Sequence, residues 1–91
     1  MEKMDAVAKL SALAQPTRME IFMVIAKASD GITSTEVAVQ TGTMPTNTSV
    51  HLSVLRNAGL VTSTKRGRTV TYRADREAIS SLTEFLTLAI R

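Results

Sequence analysis

Ninety-one residues with a formal charge of +3, 44% hydrophobic content and no cysteine predict one domain over residues 1–91, able to bury only about two thirds of its unfolded surface. The missing cysteine excludes a disulfide framework and a thiolate metal cluster, and the longest apolar run, Ile21 to Ala26, is far short of the about 20 residues that span a bilayer. A soluble protein is expected, and the opening MEKMDAV, with acids at Glu2 and Asp5, does not read as a secretory signal, so the expected location is cytoplasmic.

In chain order, Ala6, Val7, Leu10, Leu13 and Ala14 recur at helical spacing and predict a helix over roughly Lys3 to Ala14. Gln15-Pro16 interrupts it, and proline at a first helical position starts a second helix running to about Ala28, with Ile21, Phe22, Val24 and Ile25 in the core. On that helix Met19 and Met23 stand one turn apart and read as flexible core filler. Ser29-Asp30-Gly31 is a turn, followed by a third helix of about two turns with Ser34 as its cap, Glu36 in its first turn and Gly42 as its stop.

Thr43-Met44-Pro45 opens a fourth helix that reaches Ala58 and stops at Gly59. Two short helices joined by a glycine-containing turn form a helix-turn-helix pattern. Leu60 to Thr64 and Arg68 to Ala74 are rich in Val, Thr and Tyr and flank Gly67, which predicts a β-hairpin, or wing, with Tyr72 packing inward. Asp75 then caps a last helix carrying Ile79, Leu82, Phe85, Leu86, Ala89 and Ile90 on a wide apolar face. The expected fold is mainly α: five helices and a two-stranded wing.

Charge is distributed unevenly along this order. From Val37 to Ala74 the chain has five basic residues, Arg56, Lys65, Arg66, Arg68 and Arg73, and no acid, while the remainder carries six basic residues against eight acids. A local cationic surface of this kind is the footprint of a polyanion partner. On the fourth helix Thr48, Leu52 and Leu55 share one side, and Thr46, Val50, Ser53 and Asn57 lie opposite, flanked by Asn47 and Ser49. That outward side is small, polar and uncharged. In a major groove Asn47 can pair with adenine, Thr46 and Ser49 with several base edges, and Val50 can touch a thymine methyl. Lys65, Arg66 and Arg68 surround the hairpin turn and suit phosphate contact, with an arginine entering a narrow minor groove as the more specific form.

Each feature has a plainer reading. Ser, Thr and Asn are common on any exposed helix face, Thr43 or Thr46 can serve only as a cap, and wing cations can guard a strand edge. Arg56 and Arg73 can reach phosphate or pair with a surface acid. His51, the only histidine, lies beside buried Leu52 and reads as a packing or phosphate-contacting residue, not a ligand. With no cysteine, no second histidine and no glycine-rich phosphate loop, an enzyme is not expected. No cofactor is expected either.

LAQPTRMEIF near the start, TSVHLSVLRNAGLV in the middle and KRGRTVTYRA after it together resemble the ArsR/SmtB family of bacterial winged helix-turn-helix repressors. The resemblance covers nearly the whole chain. It implies a homodimer formed by the terminal helices, placing Val7, Leu10, Leu82, Phe85, Leu86 and Ala89 at the subunit contact. It further implies double-stranded DNA, an imperfect palindrome, as partner, met by Pro45, Thr46, Asn47, Ser49, Val50, His51, Ser53, Arg56, Lys65, Arg66 and Arg68. The chain departs from metal-sensing members by placing Thr33 and Thr35 where a thiolate pair stands, and hydroxyls are poor ligands for soft metals. Met44-Pro45 also replaces the polar pair usual at the opening of the recognition helix.

The expectation is a dimeric, sequence-specific transcriptional regulator, a repressor without the thiolate metal site, whose operator and effector the sequence does not name. The rival is a winged-helix module that binds an acidic protein, which the small polar face of the fourth helix disfavours because protein-binding faces carry larger aromatic anchors.

Overall fold

A computed structural model describes residues 1–91. Five helices and three strands follow in the order α1 (Lys3–Leu13), α2 (Pro16–Lys27), β1 (Ile32–Thr33), α3 (Ser34–Thr41), α4 (Pro45–Asn57), β2 (Val61–Arg66), β3 (Thr69–Ala74) and α5 (Arg76–Ala89). The expected helices and hairpin are all present. The sheet holds one strand more than expected: β1 pairs antiparallel with β3, Ile32 opposite Tyr72 and Thr33 opposite Thr71, giving the order β1-β3-β2.

Local chemistry explains where each helix begins. Pro16 occupies the first turn of α2, and the Gln15 side chain accepts the Arg18 N–H at 2.7 Å. Arg18 in turn donates from Nε to the Ala12 carbonyl at 2.8 Å, fastening the α1–α2 corner. The cap of α3 is Thr33, not Ser34. Thr33 Oγ1 accepts the Glu36 N–H at 3.2 Å while the Glu36 carboxylate accepts the Thr33 N–H at 3.1 Å, a reciprocal capping box. Ser34 lies already inside the helix. Two bonds to the carboxylate, first from the Thr33 backbone N–H and then from its hydroxyl at 2.9 Å, hold the Glu36 carboxyl below its ordinary value.

The core is one cluster of Ala12, Ile21, Ile25, Ile32, Val37, Leu52, Leu55, Leu60 and Val61, with Tyr72, Phe22, Val24 and Ile79 packed against it. Tyr72 thus faces inward, as its alternation with Val70 predicts. Met19 and Met23 do not fill the core: they are 38% and 50% exposed. Ile21 and Ile25 occupy the buried side of α2, and Met19 and Met23, each two residues before one of them, are turned off it by helical geometry.

The hairpin register runs from Val61 opposite Ala74 to Arg66 opposite Thr69, closed by Gly67-Arg68. Gly67 has φ +60° and no non-glycine residue has positive φ, the pattern of a type II′ turn. The turn before β1 depends on a second glycine. Gly31 has φ +93°, and a Cβ there would lie 2.5 Å from Thr71 Cγ2 on β3, so both backbone conformation and space demand hydrogen.

Two predictions concern stability. Gly31→Ala is expected to cost about 2 kcal/mol through strained backbone and the displaced Thr71 side chain, measured by urea unfolding with an unchanged m-value. The Glu36 capping contribution is full above the ordinary carboxylate range and is lost as pH falls through the depressed folded value. Glu36→Gln should accordingly flatten that part of the acid-side fall in melting temperature, read by circular dichroism across acidic pH.

Candidate nucleic-acid interface

The helix-turn-helix is built by α3, a tight turn and α4. Gly42 adopts the left-handed conformation, φ +64°, at the end of α3, and the Thr43 N–H returns to the Ala38 carbonyl at 3.1 Å. The Thr41 hydroxyl donates to the Val37 carbonyl at 2.8 Å, and the Thr41 and Thr43 hydroxyls lie 2.8 Å apart. A helix thus ends, reverses and restarts within four residues.

The start of α4 has Pro45 in its first turn and Met44 at the N-cap, with no side-chain cap. Neither Thr43 nor Thr46 caps it. The Thr48 hydroxyl turns back along the helix: it donates to the Met44 carbonyl at 3.0 Å, which also accepts the Thr48 N–H at 2.8 Å, and the first-turn N–H groups stay without a side-chain cap. Thr48 is 1% exposed, the one buried polar residue of the chain, and this bond satisfies the hydroxyl that burial would otherwise penalise. Thr48, Leu52 and Leu55 together form the buried side of α4.

The opposite side is therefore turned to solvent. Pro45, Thr46, Asn47, Ser49, Val50, Ser53, Arg56 and Asn57 are exposed, as the spacing predicts. The Ser49 hydroxyl donates to the Pro45 carbonyl at 3.1 Å, which leaves its lone pairs free to accept. His51 sits on the boundary, half-buried, with Nδ1 buried and without a hydrogen-bond partner.

At its far end α4 meets the wing. Arg56 Nη1 reaches Ser63 Oγ at 3.5 Å, the outer limit for a hydrogen bond. Strand alternation places Ser63 and Lys65 on the same face of the hairpin as their cross-strand partners Tyr72 and Val70. Arg66 points to the other face, opposite Thr69, with Thr64 and Thr71 next along it. The wing cations are consequently not crowded together. Lys65 and Arg66 leave on opposite faces and Arg68 at the tip, all three exposed. Arg73 shares the Arg66 face and donates from Nη2 to the Asp30 carbonyl at 2.9 Å, not to a surface acid.

Four threonines, Thr62, Thr64, Thr69 and Thr71, share the Arg66 face and were not among the expected site residues. Their signal was available, since threonine at every second position of both strands puts hydroxyls in register with Arg66. No group of three or more His, Cys, Asp or Glu side chains gathers where a metal ion could be held, and no helix is long and apolar enough to cross a membrane. On the terminal helices Val7, Leu10, Leu86 and Ala89 are exposed and Phe85 is half-buried. Leu82 departs from the expected subunit contact: it is 6% exposed within one protomer, because α5 packs on α1.

A family model for the helix-turn-helix domain matches residues 13–64. A search of curated proteins finds no match. Among solved structures, an ArsR-like transcriptional regulator from Rhodococcus sp. RHA1 superposes with TM-score 0.85 at 26% identity, covering 93% of this chain and 78% of its own. A possible transcriptional regulator for arsenical resistance is 32% identical, with TM-score 0.75, over 87% of this chain and 80% of its own. A homodimeric winged helix-turn-helix DNA-binding domain from Mycobacterium bovis, 23% identical, shares the fold at TM-score 0.76 over 93% of this chain and 78% of its own. With the capped turn, the exposed α4 and the wing in the same order, the chain belongs to the ArsR family of winged helix-turn-helix transcriptional regulators.

Proposed function

We propose that this regulator acts as a homodimer that reads an imperfect palindrome in double-stranded DNA and represses transcription by occupying promoter sequence. The single observation that carries the reading is the succession of two exposed surfaces in consecutive elements: an uncharged, solvent-facing α4 and a wing bearing Lys65, Arg66 and Arg68. A helix lying in a major groove needs side chains that pair with base edges, and Thr46, Asn47, Ser49, Val50 and Ser53 offer hydroxyls, a carboxamide and an isopropyl group. Pro45 and His51 border them. The cationic wing then supplies phosphate contacts that set register without reading sequence.

Dimerisation is supported by the exposed apolar side chains of Val7, Leu10 and Leu86 on α1 and α5, together with Phe85 and Ala89, and by the homodimeric state of the Mycobacterium bovis relative. Leu82 contributes by seating α5 on its own protomer. Two α4 helices related by a two-fold axis would reach successive major grooves, about 34 to 36 Å apart along the duplex. Thr33 and Thr35, standing at the start of α3 where the resemblance implies a thiolate pair in metal-sensing members, favour release by a signal other than a thiolate-bound metal. The absence of a large aromatic anchor on α4 favours DNA over an acidic protein.

Two experiments test this. In anisotropy titrations against a selected duplex, Arg66→Ala with Arg68→Ala should weaken binding and reduce the slope of log K against log salt by about 2, whereas Asn47→Ala should cost about 1 to 3 kcal/mol and relax one base position; unchanged slopes would reject the wing assignment. Leu10→Glu with Leu86→Glu should yield monomers in sedimentation velocity and lower DNA affinity by at least about a hundredfold. Wild-type binding that vanishes under excess nonspecific DNA would favour a protein partner instead.

A further inference from the structure

We infer that α4 selects A·T base pairs through thymine 5-methyl groups, so that the half-site beneath it contains specified thymine and no specified guanine. This rests on the DNA-binding reading above and names the sequence class that the site accepts. The centre of the outward stripe is an aliphatic residue: Val50 is 62% exposed, with Thr46 one turn before it and Ser53 nearly one turn after. Thymine alone offers a methyl group on the major-groove edge. Set against guanine O6 or the cytosine amino group, the same isopropyl would strip water from a polar atom and return no hydrogen bond.

The residues around Val50 agree. Thr46 adds a second methyl beside its hydroxyl, and the Asn47 carboxamide matches the donor and acceptor pair of adenine N6 and N7. The Ser49 hydroxyl donates to the Pro45 carbonyl and keeps lone pairs that can accept from the adenine amino group. The residues that most often read guanine, Arg and Lys, and those that accept from cytosine, Glu and Asp, are missing from Pro45 through Leu55. The helix's one cation, Arg56, lies ten residues beyond Thr46, about 15 Å along the axis. There it is directed to Ser63. Base reading falls to the N-terminal part of such a helix, so Arg56 is misplaced for a guanine under Val50.

The test uses the full chain to select duplexes from a random pool, then measures binding to the selected duplex with deoxyuridine replacing each thymine in turn, a change that removes only the methyl. One or more half-site thymines should be specified, and deoxyuridine there should weaken wild-type binding about fourfold. Val50→Ala should lose a similar factor on the thymine duplex and become indifferent to deoxyuridine. Val50 is exposed and alanine favours helix, so the variant should keep its native circular dichroism. An enriched half-site with guanine specified under α4, or wild-type binding indifferent to every deoxyuridine, would overturn the inference and leave DNA binding intact. A pool with no enriched sequence would remove the underlying reading as well.

Discussion

The seating of α4 by Thr48, Leu52 and Leu55 is the constraint on which the rest of the molecule depends. These three residues fall on one side of a thirteen-residue helix, and once that side is sealed the opposite stripe has nowhere to go but water. Leucine supplies the apolar area. Threonine supplies something leucine would not: a hydroxyl bonded to the Met44 carbonyl, at a helix start that lacks a side-chain cap. Core packing and the placement of the outward-facing residues are thus set by the same three side chains, and a shift of one residue in their register would turn Ser49, Ser53 and Arg56, or Asn47 and His51, toward the core.

Charge then gives the exposed stripe its context. The segment after Glu36 is free of acids through Ala74, while Glu2, Asp5, Asp75, Glu77 and Glu84 lie on or beside α1 and α5. A polyanion approaching this protomer meets uncompensated positive charge at the wing, whereas Lys3, Lys9, Arg76 and Arg91 nearly balance the acids of the terminal helices. Exposed apolar side chains occur in both regions, Val7, Leu10 and Leu86 on α1 and α5, and Val39, Met44 and Val50 on the helix-turn-helix. The apolar residues of α1 and α5 and the polar stripe of α4 with its wing nevertheless belong to different elements, so pairing of protomers and approach of a duplex draw on different side chains.

Much of this could be read from the chain, and the failures are instructive. Proline at the starts of α2 and α4 and glycine after α3 and α4 marked the helices, because those residues alter backbone freedom locally. The 48, 52, 55 spacing gave the buried side of α4 directly. The α3 cap was legible but misassigned: Thr33 stands three residues before Glu36, as a capping box requires, whereas Ser34 has Val37 at that distance. Strand β1, two residues long, carries no periodicity of its own and exists because β3 offers it an edge. The methionine pair on α2 shows a different limit. Spacing of four reveals that two residues share a side of a helix, not whether that side is covered. Likewise, the bond from Arg73 to the Asp30 carbonyl joins residues 43 apart and follows from tertiary structure alone. On the wing, period-two alternation already implied that Lys65 and Arg66 leave on opposite faces.

The central claim is that the outward side of α4 and the wing tip touch one duplex together. Titrating isotopically labelled protein with a selected duplex, and following backbone amide resonances, tests this most directly. Thr46 through Ser53 and Lys65 through Arg68 should shift in step and saturate at the same DNA ratio. Shifts confined to one of these segments, or centred on the exposed side of α5, would contradict it.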